Sequence, residues 1–164
     1  MPTYTTQYVM IHAIAGQIRK MKKVKTYSPR ELSKLKRKLD IVFAPLIRDR
    51  DKKLGCIACG KKTDLTTNLQ AGHFIRRGLM TTRWNPINVN GECARCNVFL
   101  AGNIPEYAIG LDKKYGEGTA KNLTLLSRGV KQWSGNELLA LIVAGEKGLK
   151  VYEEVYKELT KDLN

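Results

Sequence analysis

An α+β fold, mainly helical with one small central ββα unit, is predicted by three features of the 164-residue sequence. Two Cys-x-x-Cys pairs, Cys56/Cys59 and Cys93/Cys96, stand mid-chain with 33 residues between the inner two. Two short β-compatible runs lie between them, and the flanking stretches carry apolar residues at a helical period. Hydrophobic residues make up 43% of the chain, enough for one folded domain and against disorder.

The elements follow in order. Residues 1–30, with "YVMIHAIAGQIRKMKKVK", read as a basic N-terminal segment, either a helix with a basic tail or an arm, and His12 there is assigned to structure. Ser28, Pro29 and Glu31 then fit the N-cap, N1 and N3 positions of a capping box. Leu32, Leu35, Leu39, Val42, Phe43, Leu46 and Ile47 follow as a helical stripe, which predicts a basic helix over 31–53. Pro45 should kink or divide it. Within a cysteine-clipped core over 54–104, "NLQAGHFI" (68–75) predicts one strand and "NPINVNGEC" (85–93), where Ile87 and Val89 alternate with Asn88 and Asn90, a second. The loop "RRGLMTTRWNP" joins them. "NVFLAGNIPEYAIGL" supports a helix of about two turns after Cys96, broken by Gly102 and Pro105. Ser134 and Glu137 repeat the Ser-x-x-Glu signature, so helices close the chain over 105–164. Residues 31–164 are thus predicted to form a single domain.

No N-terminal apolar run with a cleavage site is present, and none approaches the ~18 residues that span a bilayer, which predicts a soluble, unexported protein. In such a compartment, paired cysteines point to a four-cysteine zinc site rather than to disulfides. Two intervening residues let one turn present both sulfurs to one ion. Four thiolates close a tetrahedral site, so this zinc is structural, worth on the order of 10 kcal/mol to folding. Chemistry must lie elsewhere.

Charge is uneven. Residues 1–53 hold 14 Lys/Arg against 4 Asp/Glu, residues 54–103 hold 6 against 2, and residues 104–164 hold 9 against 9. All of the net charge of +14 sits in the first hundred residues, which predicts a nucleic-acid partner rather than a membrane. Arg76, Arg77 and Arg83 flank His73 in sequence and are candidates to clamp a scissile phosphate, whereas Lys20 to Lys25 and Lys34 to Lys38, among them Lys34, Lys36 and Arg37, would hold flanking backbone. Trp84 reads first as a core aromatic and second as a wedge at a DNA branch. A neutral His73 in a positive field, near groups able to hold a divalent cation, suits deprotonation of a water that attacks a phosphodiester. The cation would stabilise the leaving oxygen.

Gly-His-Phe on the first strand, Asn88 before the second cysteine pair and Cys-x-x-Cys-Asn opening the next helix resemble the HNH, or His-Me finger, nucleases with their ββα-metal unit. Within that superfamily, "FAPLIRDRDKKLGCIACG", "QAGHFIRR", "TRWNPINVNGECARCN" and "AGNIPEYAIGLDKKYG" are similar to the phage NinG/Rap recombination family over about residues 32–160. The resemblance implies a magnesium- or manganese-dependent endonuclease that cuts Holliday junctions and D-loops as a dimer, in the bacterial host cytoplasm and alongside recombination proteins. It implies His73 as general base, Asn97 as ligand of the catalytic cation, Asn88 as the brace of the histidine loop, and Cys56, Cys59, Cys93 and Cys96 as the zinc clip. Gly72 departs from the pattern, since many relatives place an Asp or His ligand before the base. Gln70, Asp64, Glu92 and Asn103 are the candidates to replace it. A site-specific HNH nuclease and a non-catalytic zinc-dependent nucleic-acid binder are the alternative readings.

Overall fold

The computed structural model describes residues 26–62 and 69–163. The helix or arm expected before residue 26, His12, Lys20 to Lys25 and Asp64 lie outside the described residues. The architecture is α+β and mainly helical, with one two-stranded sheet: α1 (Pro29–Asp51), β1 (Leu69–His73), β2 (Val89–Cys93), a π-helical turn (Arg95–Phe99), α2 (Ile104–Tyr115), α3 (Thr119–Leu126), α4 (Gly135–Lys147) and α5 (Leu149–Thr160). The chain divides into two compact units, one running to Phe43 and resuming at Trp133, the other Ala44–Gln132.

The first unit is helical. Both of its capping boxes form: Ser28 N–H donates to Glu31 at 2.8 Å and Ser134 N–H to Glu137 at 2.8 Å, while each serine Oγ accepts the glutamate's backbone N–H at 3.3 Å. Leu39 and Phe43 of the predicted stripe are buried, as are Leu138, Leu141 and Ile142 of α4 and Tyr152 and Val155 of α5. Phe43 stacks on Tyr152 with ring centroids 4.9 Å apart.

Pro45 does not divide α1, which runs unbroken from Pro29 to Asp51. The N–H that Pro45 lacks would have bonded the Ile41 carbonyl, and both residues are exposed, so water can take that carbonyl.

In the second unit the strands pair antiparallel, with Leu69 opposite Cys93, Gln70 opposite Glu92 and Gly72 opposite Asn90. They are shorter than expected. Ile87 is no strand residue: turns closed by Asn85, whose Oδ1 accepts the Ile87 N–H at 2.8 Å and whose carbonyl accepts those of Asn88 and Val89, leave it 40% exposed. The connecting loop is a chain of hydrogen-bonded turns, and Trp84 is 1% exposed, a core side chain and no wedge.

The helix expected straight after the second cysteine pair is a single π-helical turn. Ala101, Gly102 and Asn103 all take positive φ (47°, 89° and 42°), which breaks the path before α2 starts at Ile104. Tyr107 and Leu111 of α2 and Leu123 of α3 are buried together, with Ile57, Phe74 and Tyr115 packed around them. The Tyr107 hydroxyl donates to the Gly72 carbonyl at 2.9 Å and ties α2 to β1.

Gly110 brings α2 onto the Cys56–Cys59 turn so closely that a methyl group there would overlap the Ile57 carbonyl. Replacing a mid-helix Gly by Ala ordinarily stabilises by ~0.5–1 kcal/mol. Gly110→Ala is expected instead to destabilise by ~1–3 kcal/mol, because the obstacle is backbone. Urea denaturation reads the sign directly.

Candidate functional site

The four sulfurs converge, every pair lying within 4.8 Å. Cys59 Sγ and Cys93 Sγ are 3.9 Å apart, near the ~3.8 Å edge of a tetrahedron with ~2.3 Å metal–sulfur bonds and far from a disulfide's ~2.05 Å. Two local structures present them. Around the first pair, Gly60 N–H donates to the Cys56 carbonyl at 2.8 Å and Ile57 N–H to the Gly91 carbonyl at 2.9 Å; Gly55 and Gly60 take the positive φ (89° and 67°) this turn needs. The second pair straddles the end of β2 and the π-helical turn, where Asn103 Nδ2 approaches Cys96 Sγ at 3.8 Å. Burial pushes the Cys56 and Cys96 thiols up, so thiolates here call for a cation. The donor set fits a metal such as zinc.

His73 ends β1. Its Nε2 lies 3.0 Å from the Arg83 carbonyl oxygen, which can only accept, so Nε2 is the donor, and in the neutral ring the lone pair is at Nδ1. Asn88 is fully buried and spans the loop: Oδ1 accepts the Ile75 N–H at 2.7 Å, and Nδ2 donates to the carbonyls of Ile75 and Thr82, each at 3.0 Å. The segment that carries the Arg83 carbonyl is thereby held from inside.

Asn97 sits in the π-helical turn, half-buried, and its Nδ2 donates to Gln70 Oε1. Across from Gln70 is Glu92, which is fully buried with neither carboxylate oxygen hydrogen-bonded. Burial, then the charge of Cys93, pushes its pKa up to about 7. Asn103 is directed at the Cys96 sulfur rather than toward this group.

Arg76, Arg77 and Arg83 belong to the second unit, and Lys34, Lys36 and Arg37 to the first. Arg76 and Arg77 are exposed on the loop, while Arg83 lies over the Trp84 ring at 5.0 Å. Lys34 and Arg37 are exposed on α1, but Lys36 is half-buried and turned about 160° from Lys34 by the helical period.

A buried polar hub went unrecognised in the sequence. Asp51 accepts Arg50 Nε and Nη2 at 2.7 and 2.6 Å, Lys114 Nζ at 2.7 Å and the Gly91 N–H at 2.8 Å. Asn90 Oδ1 accepts from the same Arg50 and Lys114, and from Tyr115. The hub anchors β2 to the end of α1 and to α2. Only the run "RDRD" hinted at it. Burial alone would raise the Asp51 pKa, but the hydrogen bond and charge of Arg50, then Lys114 and the Gly91 N–H, hold it below the usual carboxylate value.

Among known proteins, the profile described as Bacteriophage Lambda NinG protein matches residues 12–158. Protein ninG of Escherichia phage lambda is 33% identical over 72 residues, covering 43% of this chain and 34% of that protein. Protein ninG of Escherichia phage 933W is 27% identical over 105 residues, 63% of this chain and 51% of that protein. Protein ninG of Salmonella phage P22 is 32% identical over 71 residues, 43% and 34%. The matched stretches span from about a third to half of these relatives' length. No solved structure matches. Among the described residues, no helix is long and apolar enough to cross a membrane.

Two outcomes are expected from these contacts. Purified protein should hold about one zinc per chain by elemental analysis, and Cys93→Ser should lose the metal and melt the second unit; a metal-free preparation of unchanged thermal stability would contradict this. Because the Asp51 pKa is lowered on folding, its contribution is complete above ~4 and is lost as pH falls through the folded-state value. Asp51→Asn should cost ~3 kcal/mol at neutral pH, leaving Arg50 and Lys114 uncompensated, and should flatten the acid limb of the stability curve measured from pH 6 to 2.

Proposed function

The chain belongs to the NinG family, and from that membership we propose that it is a metal-dependent endonuclease that cuts branched DNA, such as Holliday junctions and D-loops, by phosphodiester hydrolysis. The observation that carries the reading is the His73 tautomer. An imidazole whose Nε2–H is anchored on a carbonyl presents Nδ1 as a base, the arrangement a water-activating histidine requires.

In this mechanism His73 Nδ1 takes a proton from water as the water oxygen bonds to phosphorus, and the phosphorus–oxygen bond to the leaving strand breaks. Asn88 keeps the ring in place through the loop it braces. Arg76 and Arg77, exposed beside it, hold the phosphate oxygens as charge builds. Magnesium or manganese, when bound, supplies charge stabilisation at the phosphate and the leaving oxygen. The residues present fit such an ion: Asn97 offers Oδ1, since its Nδ2 is engaged by Gln70, and a buried carboxylate without a partner lies across from that glutamine. Zinc in the sulfur cluster would be structural.

The charge of residues 1–53 adds a broad, weakly sequence-dependent footprint, and a two-fold dimer would set two His73 sites on symmetry-related strands of a four-way junction. Recombination proteins of the host or phage are candidate partners, and the host cytoplasm is the proposed compartment.

Labelled four-way junction and sequence-matched linear duplex, each with and without Mg²⁺ or Mn²⁺, test the reading. Metal-dependent nicking near the branch is expected. His73→Ala should slow cleavage by roughly 100-fold or more while junction affinity stays nearly unchanged. Cleavage at the wild-type rate by that variant would refute His73 as the base; equal cutting of both DNAs would favour the site-specific alternative.

A further inference from the structure

Glu92 is the only carboxylate among the described residues whose two oxygens are both buried and without a hydrogen-bond partner. A stranded buried charge costs several kcal/mol. A proton would remove the charge and still leave an O–H and a C=O unpaired, so neutralisation alone does not satisfy the site. A cation satisfies both oxygens at once.

The surroundings are shaped for that carboxylate. Any side chain at residue 72 would collide with Glu92, so Gly72 leaves open the space Glu92 fills. Gln70 lies directly across the sheet from Glu92, and strand alternation puts Gln70, Gly72, Asn90 and Glu92 on one face. Cys93 points to the other face, which separates these oxygens from the sulfur cluster. Gln70 accepts from Asn97 Nδ2, and that contact fixes which end of the Asn97 amide remains to accept or to ligate. The donors are thus a carboxylate and an amide oxygen, hard ligands of the kind magnesium and manganese take and zinc-selecting thiolates are not.

We propose that Glu92 is the carboxylate ligand of a divalent-cation site completed by Asn97 and oriented by Gln70, supplying from β2 what Gly72 cannot supply from β1. Its use in cleavage rests on the nuclease reading; the binding itself does not.

The test is Mn²⁺ binding to the zinc-loaded full chain, followed by the loss of the free-ion electron paramagnetic resonance signal. Wild type should take up one Mn²⁺ beyond its zinc. Glu92→Gln, which keeps the shape, should weaken that uptake about 10-fold or more while zinc content and circular dichroism stay the same. Asn97→Ala should weaken it by a similar factor, and Glu106→Gln, which changes an exposed carboxylate outside the site, should not. Equal Mn²⁺ uptake by wild type and Glu92→Gln, or none by wild type, overturns the inference. A wild type that cuts junctions while Glu92→Gln binds Mn²⁺ normally overturns it and leaves the nuclease reading standing. Mn²⁺ held through Glu92 in a protein that cuts no DNA does the reverse.

Discussion

The meeting of four sulfurs at one point is the constraint on which the second unit depends. It joins a turn near residue 56 to the end of a strand near residue 93, places otherwise linked through the Ile57–Gly91 backbone hydrogen bond, in a sheet of two strands. Such a hairpin is marginal by itself in water. With its end fixed, β2 holds its register, and the π-helical turn that follows can present Asn97 to Gln70. The Asp51 hub also secures β2, so the short strand is gripped by sulfur at one end and by buried charge along its length.

Within this frame the polar side chains are used in contrasting ways. Asn88 has every amide atom engaged and acts as a rigid strut, and Asn90 accepts three donors on one oxygen. Glu92, two residues further on, has none. A segment that satisfies two buried amides so fully has no general difficulty in pairing its polar groups, which makes the neglected carboxylate informative.

Local signals were the legible ones. Both capping boxes could be read directly, because the side chain and the backbone groups it serves lie within four residues, and the cysteine spacing was readable because ligand chemistry restricts it. Alternation found both strands but overextended the second to Ile87, where Asn85 side-chain and backbone bonds override β-propensity. The left-handed run Ala101, Gly102 and Asn103 was readable at its glycine and asparagine, which take positive φ readily, but not at Ala101, whose Cβ disfavours it. Asp51 and Lys114, 63 positions apart, look like ordinary surface charges until the fold brings them together. The role proposed for His73 came from its chemistry and its sequence neighbours, while its contact with the Arg83 carbonyl, ten residues on, needed the fold.

The division into two units carries a consequence for how this chain fails. Every cysteine lies in the Ala44–Gln132 unit, whereas both capping boxes and the Phe43–Tyr152 stack lie in the other. If zinc fills the sulfur cluster, its scarcity during synthesis would strike that unit selectively. The outcome would be a partly folded species, with the helices of the other unit formed and an open, thiol-bearing middle, rather than a random coil. Species of that kind are what chaperones retain and proteases nick, so metal supply would govern how much protein accumulates before it governs how well each molecule works.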